Sequence, residues 1–107
     1  MKFQSIHTCI YTDNDKESIK FYEDALNMHI TRRKDYDEDE FSLIYMATED
    51  GAYELELTFN HDGRKYEHGS YYGHMAFKTK EFEKALWPSQ KNESSKSRNR
   101  RTFWLFW

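Results

Sequence analysis

The sequence predicts an α+β domain in which one strand, one helix and three further strands follow each other along the chain. Three observations indicate this order. Apolar and polar residues alternate over 3–11, an apolar helical stripe runs between capping residues over 14–27, and an Asp-Gly turn separates alternating segments at 41–47 and 52–59. Because an Asp-Gly pair is typical of tight hairpins, we expect those two segments to pair antiparallel.

The helix has a clear start and a clear end. Asn14 is a favoured N-cap residue, and Glu17 three positions later completes a capping box. Asn27 is expected to end the helix, since asparagine tolerates the left-handed conformation found at helix C-termini. The apolar stripe between the caps consists of Ile19, Tyr22, Ala25 and Leu26.

The strands each present two faces, and the chemistry-bearing residues fall on one face of each. A second strand is predicted over 28–34. In the first strand, one face carries His7, Cys9 and Tyr11. In the last hairpin strand, the face opposite the leucines carries Glu54, Glu56, Thr58 and Asn60. We expect Cys9 to be a small core-facing group and not a nucleophile.

The pattern changes after the hairpin. A polar loop leads to a short strand predicted over 71–78, and a helix begins at 81–86. Residues 88–101 have no periodicity and few apolar residues, so we expect disorder there, ahead of an aromatic end at 103–107. The chain thus divides into a domain at 1–87 and an atypical tail at 88–107.

Charge follows the same division. The chain carries a formal net charge of −3, of which the tail contributes +4 and residues 1–87 therefore −7. An acidic body disfavours nucleic acid as a partner. No apolar run is long enough to span a membrane, and Cys9 as the sole cysteine suits a reducing cytoplasm.

Two imidazoles and a carboxylate could form a metal site. Each of three residues, His7, Glu56 and His74, lies on the corresponding face of a separate predicted strand. This set of two imidazoles and a carboxylate suits Ni, Co or Zn. Taken singly, each signal is weak, because strand histidines are more often structural. Glu54 shares the parity of Glu56 and is the alternative carboxylate. The other histidines, His29, His61 and His68, are expected at the surface.

Four segments carry a recognisable pattern in this order: HTCI at 7–10, SIKFYEDAL at 18–26, YELELTFN at 53–60 and YGHMA at 72–76. Together they resemble glyoxalase I (lactoylglutathione lyase) of the vicinal oxygen chelate superfamily. The resemblance implies a fold of βαβββ modules that enclose a metal, with the first module complete here and the second incomplete.

The resemblance also implies an activity and roles for individual residues. It implies isomerisation of the hemithioacetal of methylglyoxal and glutathione to S-lactoylglutathione, with a divalent metal ion (Ni, Co or Zn), glutathione as co-substrate and a homodimer. By the resemblance, His7, Glu56 and His74 are metal ligands, and Glu56 is also the candidate catalytic residue. Asn60 would hydrogen-bond the glutathione, and Tyr11 stands where the family often has an arginine that holds a glutathione carboxylate.

The end of the chain departs from the family pattern. The resemblance implies a glutamate on a later strand as fourth ligand and base, and nothing like it follows Leu86, where Glu93 lies in a Ser/Lys-rich run. We expect a truncation or frame change after about residue 86. The alternative to an active lyase is therefore a catalytically impaired or non-enzymatic binding module that lacks the fourth ligand.

Overall fold

A computed structural model of the chain describes residues 1–79, 95–96 and 102–105. The chain divides into two compact units, Met1–Glu67 and His68–Trp107. The elements in chain order are β1 (His7–Thr12), α1 (Asp15–Leu26), β2 (His29–Tyr36), β3 (Phe41–Ala47), β4 (Glu54–Asn60), β5 (Met75–Lys78), β6 (Ser95–Lys96) and β7 (Thr102–Leu105). The predicted α+β class and the order of strand, helix and three strands are confirmed.

The first unit is a four-stranded mixed sheet with the order β1-β4-β3-β2. Strands β2, β3 and β4 pair antiparallel, so the predicted hairpin between β3 and β4 is confirmed. Strand β1 lies parallel to β4, with Cys9 opposite Glu56. This pairing brings the two ends of the βαβββ module side by side, although they are far apart in sequence.

Helix α1 begins and ends where its caps predict. The Asn14 side chain accepts a hydrogen bond from the Glu17 amide at 3.0 Å. Asn27 has φ 53° and ψ 35°, the left-handed conformation, and its amide donates to the Glu23 carbonyl at 3.1 Å. Backbone groups that the helix itself leaves without partners are thus capped at each end, which explains why local sequence sets these two boundaries.

The core lies on one face of this sheet. Pairing sets the buried side chains of β3 against those of β4, with Ile44 opposite Leu57 and Met46 opposite Leu55. Tyr22 of α1 is also fully buried. The other face of the sheet, which carries His7, is therefore the one left for polar groups.

Two expectations about β1 are wrong. The strand begins at His7, not at residue 3, because its ladder with β4 starts with His7 opposite Glu54. Alternation continues through 3–6, but the ladder with β4 does not extend there, although the Ile6 carbonyl accepts a hydrogen bond from the Glu54 amide at 3.1 Å. Cys9 is exposed instead of core-facing, because it shares the polar face of the sheet with His7.

The second unit is a three-stranded antiparallel sheet with the order β5-β7-β6. Its first strand begins at Met75, later than the predicted 71–78, so His74 immediately precedes the strand. The sequence did not predict the strands at Ser95–Lys96 and Thr102–Leu105. The expected helix start at 81–86 and most of the expected disordered tail lie outside the described residues. No described helix is long and apolar enough to cross a membrane.

Candidate metal-binding face

Strand register collects the candidate residues of the first unit on one face of its sheet. We call this the His7 face. Cys9 of β1 lies opposite Glu56 of β4, Glu56 lies opposite Tyr45 of β3, and Tyr45 lies opposite Arg32 of β2. Directly opposed residues share a face, so this row of four side chains crosses the whole sheet.

His7 and Glu56 bring two possible metal-binding side chains together on the His7 face. Nε2 of His7 lies 3.3 Å from Oε2 of Glu56, and the side chains are 33% and 12% exposed. Two donors bonded to one ion at about 2.0–2.2 Å stand about 2.8–3.6 Å apart at octahedral or tetrahedral angles. The spacing of this pair therefore fits two neighbouring ligands of one borderline divalent ion.

The structure supports a pair and not a larger cluster. Among the residues it describes, no group of three or more His, Cys, Asp or Glu side chains could hold a metal ion. His74, the third predicted ligand, belongs to the second unit, where it precedes β5. Its role as a ligand stays a prediction.

Several groups determine the charge state of Glu56. Burial raises the pKa of this carboxyl, but hydrogen bonds from Tyr45 and Cys9 and the nearby His7 imidazole outweigh burial and lower it overall. Thr58 adds a hydrogen bond from its Oγ1 to Oε1 of Glu56 at 3.3 Å. Glu56 is therefore ionised at neutral pH, the state in which a carboxylate binds a cation.

Glu54 has different partners. Its carboxylate accepts a hydrogen bond from Thr31 and pairs with the Arg32 guanidinium, whose Nη2 lies 3.0 Å from Oε1. These contacts lower the pKa of Glu54, with the Thr31 hydrogen bond as the largest cause. The two carboxylates lie on the same face of β4, but Glu56 lies next to the His7 imidazole, whereas Glu54 is ion-paired with Arg32.

The two predicted substrate-binding residues meet at a third one. Asn60 donates from Nδ2 to the Tyr66 hydroxyl at 2.7 Å, and the Tyr66 ring stacks on Tyr11 with centroids 5.4 Å apart. The nearby Arg64 is paired with Asp62, and that guanidinium lowers the pKa of the Asp62 carboxyl to about 2. This end of the His7 face thus offers the stacked rings of Tyr11 and Tyr66 and the amide of Asn60. The neighbouring guanidinium of Arg64 is already paired with Asp62.

Comparison with known proteins agrees with this architecture. Residues 4–88 match the model of the Glyoxalase/Bleomycin resistance protein/Dioxygenase superfamily. The chain belongs to that superfamily. The match covers the four-stranded unit and extends through β5, so the family assignment and the observed fold rest on the same part of the chain.

Two similar curated proteins are both named lactoylglutathione lyase. The chain is 43% identical over 75 residues to the lactoylglutathione lyase of Haemophilus influenzae. The aligned region covers 68% of this chain and 56% of that protein. The chain is 40% identical over 73 residues to the enzyme of Neisseria meningitidis serogroup A, covering 66% and 53%. The chain spans about half the length of these curated relatives.

Among solved structures, the trypanothione-dependent glyoxalase I of Leishmania major is similar, with a TM-score of 0.76 and 28% identity. The similarity covers 90% of this chain and 70% of that one. Glyoxalase I from Zea mays is similar at a TM-score of 0.59 and 25% identity, covering 86% and 35%. The glyoxalase fold predicted from the sequence is therefore confirmed.

Sequence reasoning missed three residues that the superfamily fold brings to this face: Arg32, Tyr45 and Tyr66. For Tyr45 a usable signal existed, because the Asp-Gly turn fixes the register of the hairpin and hence the residue opposite Glu56. Tyr66 lies in a polar loop, where no periodicity indicates which way a ring points. The surface positions expected for His29, His61 and His68 are confirmed.

Proposed function

We propose that this chain supplies a metal-dependent lactoylglutathione lyase site, which acts on the hemithioacetal of methylglyoxal and glutathione. The observation that carries the proposal is the His7–Glu56 pair, whose atoms lie 3.3 Å apart on a sheet of the glyoxalase fold. Relatives named lactoylglutathione lyase support the substrate class. The proposal places the protein in the cytoplasm as a homodimer, as the family resemblance implies.

In this proposal His7 and Glu56 hold a divalent ion, Ni, Co or Zn, and His74 is the further ligand suggested by sequence. When bound, such an ion offsets the negative charge that develops on substrate oxygens during isomerisation. The lowered pKa of Glu56 suits a ligand better than a base, because a general base works best with a pKa near the working pH. We therefore assign Glu56 the role of metal ligand. Substitution of Glu56 should abolish turnover because the protein no longer holds the ion.

The thiol part of the substrate fits the other end of the same face. Asn60 supplies an amide and Tyr11 an exposed ring stacked on Tyr66, so peptide-like groups of a thiol could hydrogen-bond and pack there. Tyr11 has no charge with which to hold a carboxylate. Glutathione is the proposed co-substrate, and trypanothione is the second thiol to test, because the Leishmania major relative depends on it.

The test is a turnover assay on the full 107-residue chain. The metal-stripped protein is loaded with Ni, Co or Zn, and isomerisation is followed with the methylglyoxal hemithioacetals of glutathione and of trypanothione. We expect one stoichiometric ion, turnover that depends on it, and loss of turnover in Glu56→Gln. Glu54→Gln is the matched control, since its carboxylate is bound to Arg32 and not to His7.

The outcomes separate the two candidate functions. Turnover that disappears in Glu56→Gln and persists in Glu54→Gln supports the lyase. Tight metal binding without turnover for either thiol supports the alternative, a catalytically impaired or non-enzymatic binding module. Absence of any stoichiometric metal contradicts the ligand assignment and the metal-dependent lyase.

A further inference from the structure

Tyr45 lies at the centre of the His7 face and touches both members of the proposed metal pair. Tyr45 lies opposite Glu56 in the β3–β4 ladder, and the Glu56 carboxylate is the largest cause that raises the pKa of the Tyr45 hydroxyl to about 12. Its ring also meets the imidazole of His7 edge-on, with centroids 5.7 Å apart and planes at 80°. One side chain therefore contacts the carboxylate and the imidazole together.

The Arg32 guanidinium packs against the Tyr45 ring. Tyr45 is 8% exposed, and the Arg32 guanidinium carbon lies 3.7 Å from the ring centroid. Arg32 is in turn fixed by its ion pair with Glu54 at 3.0 Å. A ring that contacts both a guanidinium and an imidazole has little freedom to rotate away, because a cation over its face attracts the ring.

The two oxygens of the Glu56 carboxylate have different neighbours. Thr58 donates to Oε1, while Oε2 faces His7. Tyr45 approaches the same carboxylate from β3, where its hydroxyl is placed to restrict the rotation of the carboxylate about its last bond. Outer hydrogen bonds of this kind commonly set the orientation of a ligating carboxylate and hence the affinity for the ion.

We infer that Tyr45 is a positioning residue that orients Glu56 towards His7 for metal binding, with Arg32 holding its ring. The inference deepens the proposed function and rests on the metal site proposed there. It adds a residue whose hydroxyl acts through Glu56 and does not itself contact the ion. Loss of the hydroxyl should therefore weaken metal binding while the ring and its packing remain.

The experiment compares Tyr45→Phe with Tyr36→Phe in the full chain. Tyr36→Phe is the matched control, because it removes the same kind of hydroxyl at the end of β2. There the centroids of the Tyr36 and Phe41 rings lie 4.6 Å apart. Co²⁺ affinity is measured by calorimetry, and the visible absorption of the bound Co²⁺ reports its coordination. The ¹³C resonance of the Glu56 carboxyl carbon is measured in the metal-free protein.

We expect Co²⁺ to bind about tenfold more weakly to Tyr45→Phe, with altered Co²⁺ absorption, and Tyr36→Phe to match the wild type. The Glu56 carboxyl resonance should move in Tyr45→Phe alone. Unchanged affinity and an unmoved resonance would overturn the inference. Should Tyr45→Phe fail to fold, Arg32→Gln, which releases the ring, must weaken Co²⁺ binding in the same direction, and unchanged binding would overturn it too.

The two proposals fail in different ways. A wild-type chain that binds no Co²⁺ contradicts the metal site of the proposed function, yet the carboxyl resonance still decides whether Tyr45 holds Glu56. A wild type that binds Co²⁺ as tightly as Tyr45→Phe leaves the metal site intact and removes Tyr45 from it.

Discussion

Nε2 of His7 and Oε2 of Glu56 lie 3.3 Å apart because β1 runs parallel to β4 in a register that sets Cys9 opposite Glu56. A shift of one residue in that register would move every β1 side chain to the opposite face and separate the pair. The site thus depends on the pairing of strands that are distant in sequence, and the sheet core stabilises that pairing.

The core beneath the pair should carry much of the stability of the first unit. Leu57 adjoins Glu56 in β4 and is 0% exposed on the opposite face of the sheet. Leu57→Ala should lower the free energy of unfolding by about 2–5 kcal/mol, because it removes buried methyl groups and leaves a cavity. Urea denaturation measures the change. Ile6→Ala, at a side chain 60% exposed, is the control and should fall within about 0.5 kcal/mol of the wild type.

The C-terminal cap of α1 offers a matched pair of substitutions. Asn27 has φ 53°, so Asn27→Ala should destabilise the protein by about 1 kcal/mol, because alanine lacks the short polar side chain that lets asparagine tolerate the left-handed conformation. Asn27→Gly should be as stable as the wild type or slightly more so, since glycine adopts that conformation freely. Thermal unfolding compares the three proteins. Equal destabilisation by both substitutions would contradict the conformational explanation and point to a lost side-chain contact.

The Asp35 carboxylate should make stability depend on pH. A hydrogen bond from Ser42, followed by contacts with Arg33, lowers the pKa of Asp35 from 3.8. A lowered pKa in the folded state stabilises the protein above pH 3.8, and that contribution disappears as the pH falls through the folded-state pKa. Asp35→Asn should therefore melt below the wild type at pH 6, and the difference should shrink in acid. A gap of constant size between pH 6 and pH 2.5 would contradict this linkage.

Substrate binding should respond to Asn60 separately from chemistry. Asn60→Ala removes the amide that now donates to Tyr66, so KM for the accepted hemithioacetal should rise up to about tenfold with kcat little changed. Steady-state kinetics with the metal-loaded chain measures both constants. A fall in kcat at constant KM would show that Asn60 acts on the reaction and not on binding.

Local rules predicted the parts of the fold that local interactions determine. The limits of α1 match their caps at Asn14 and Asn27, and β3 has the predicted bounds Phe41–Ala47 next to its Asp-Gly turn. The start of β1 was missed because alternation over 3–6 says nothing about where the partner strand begins. Its pairing with Glu54 decides that boundary, and such a contact is not visible in a local pattern.

The same distinction applies to the site. His7 and Glu56 were found by parity and resemblance, and Tyr45 was overlooked although hairpin register could have placed it opposite Glu56. Tyr66 joins Tyr11 to Asn60 from an irregular loop, so only three-dimensional structure reveals it. Whether His74 completes the ligand set is still a prediction.

The central claim is that Glu56, and not its same-face neighbour Glu54, binds a divalent ion together with His7. Calorimetric titration of Ni²⁺ into the wild type, Glu56→Gln and Glu54→Gln tests it most directly. We expect one ion in the wild type, affinity at least about tenfold lower in Glu56→Gln, and a smaller loss in Glu54→Gln, whose carboxylate acts on the site only through Arg32 and Tyr45. Equal affinities for all three proteins, or a greater loss in Glu54→Gln, would contradict the claim.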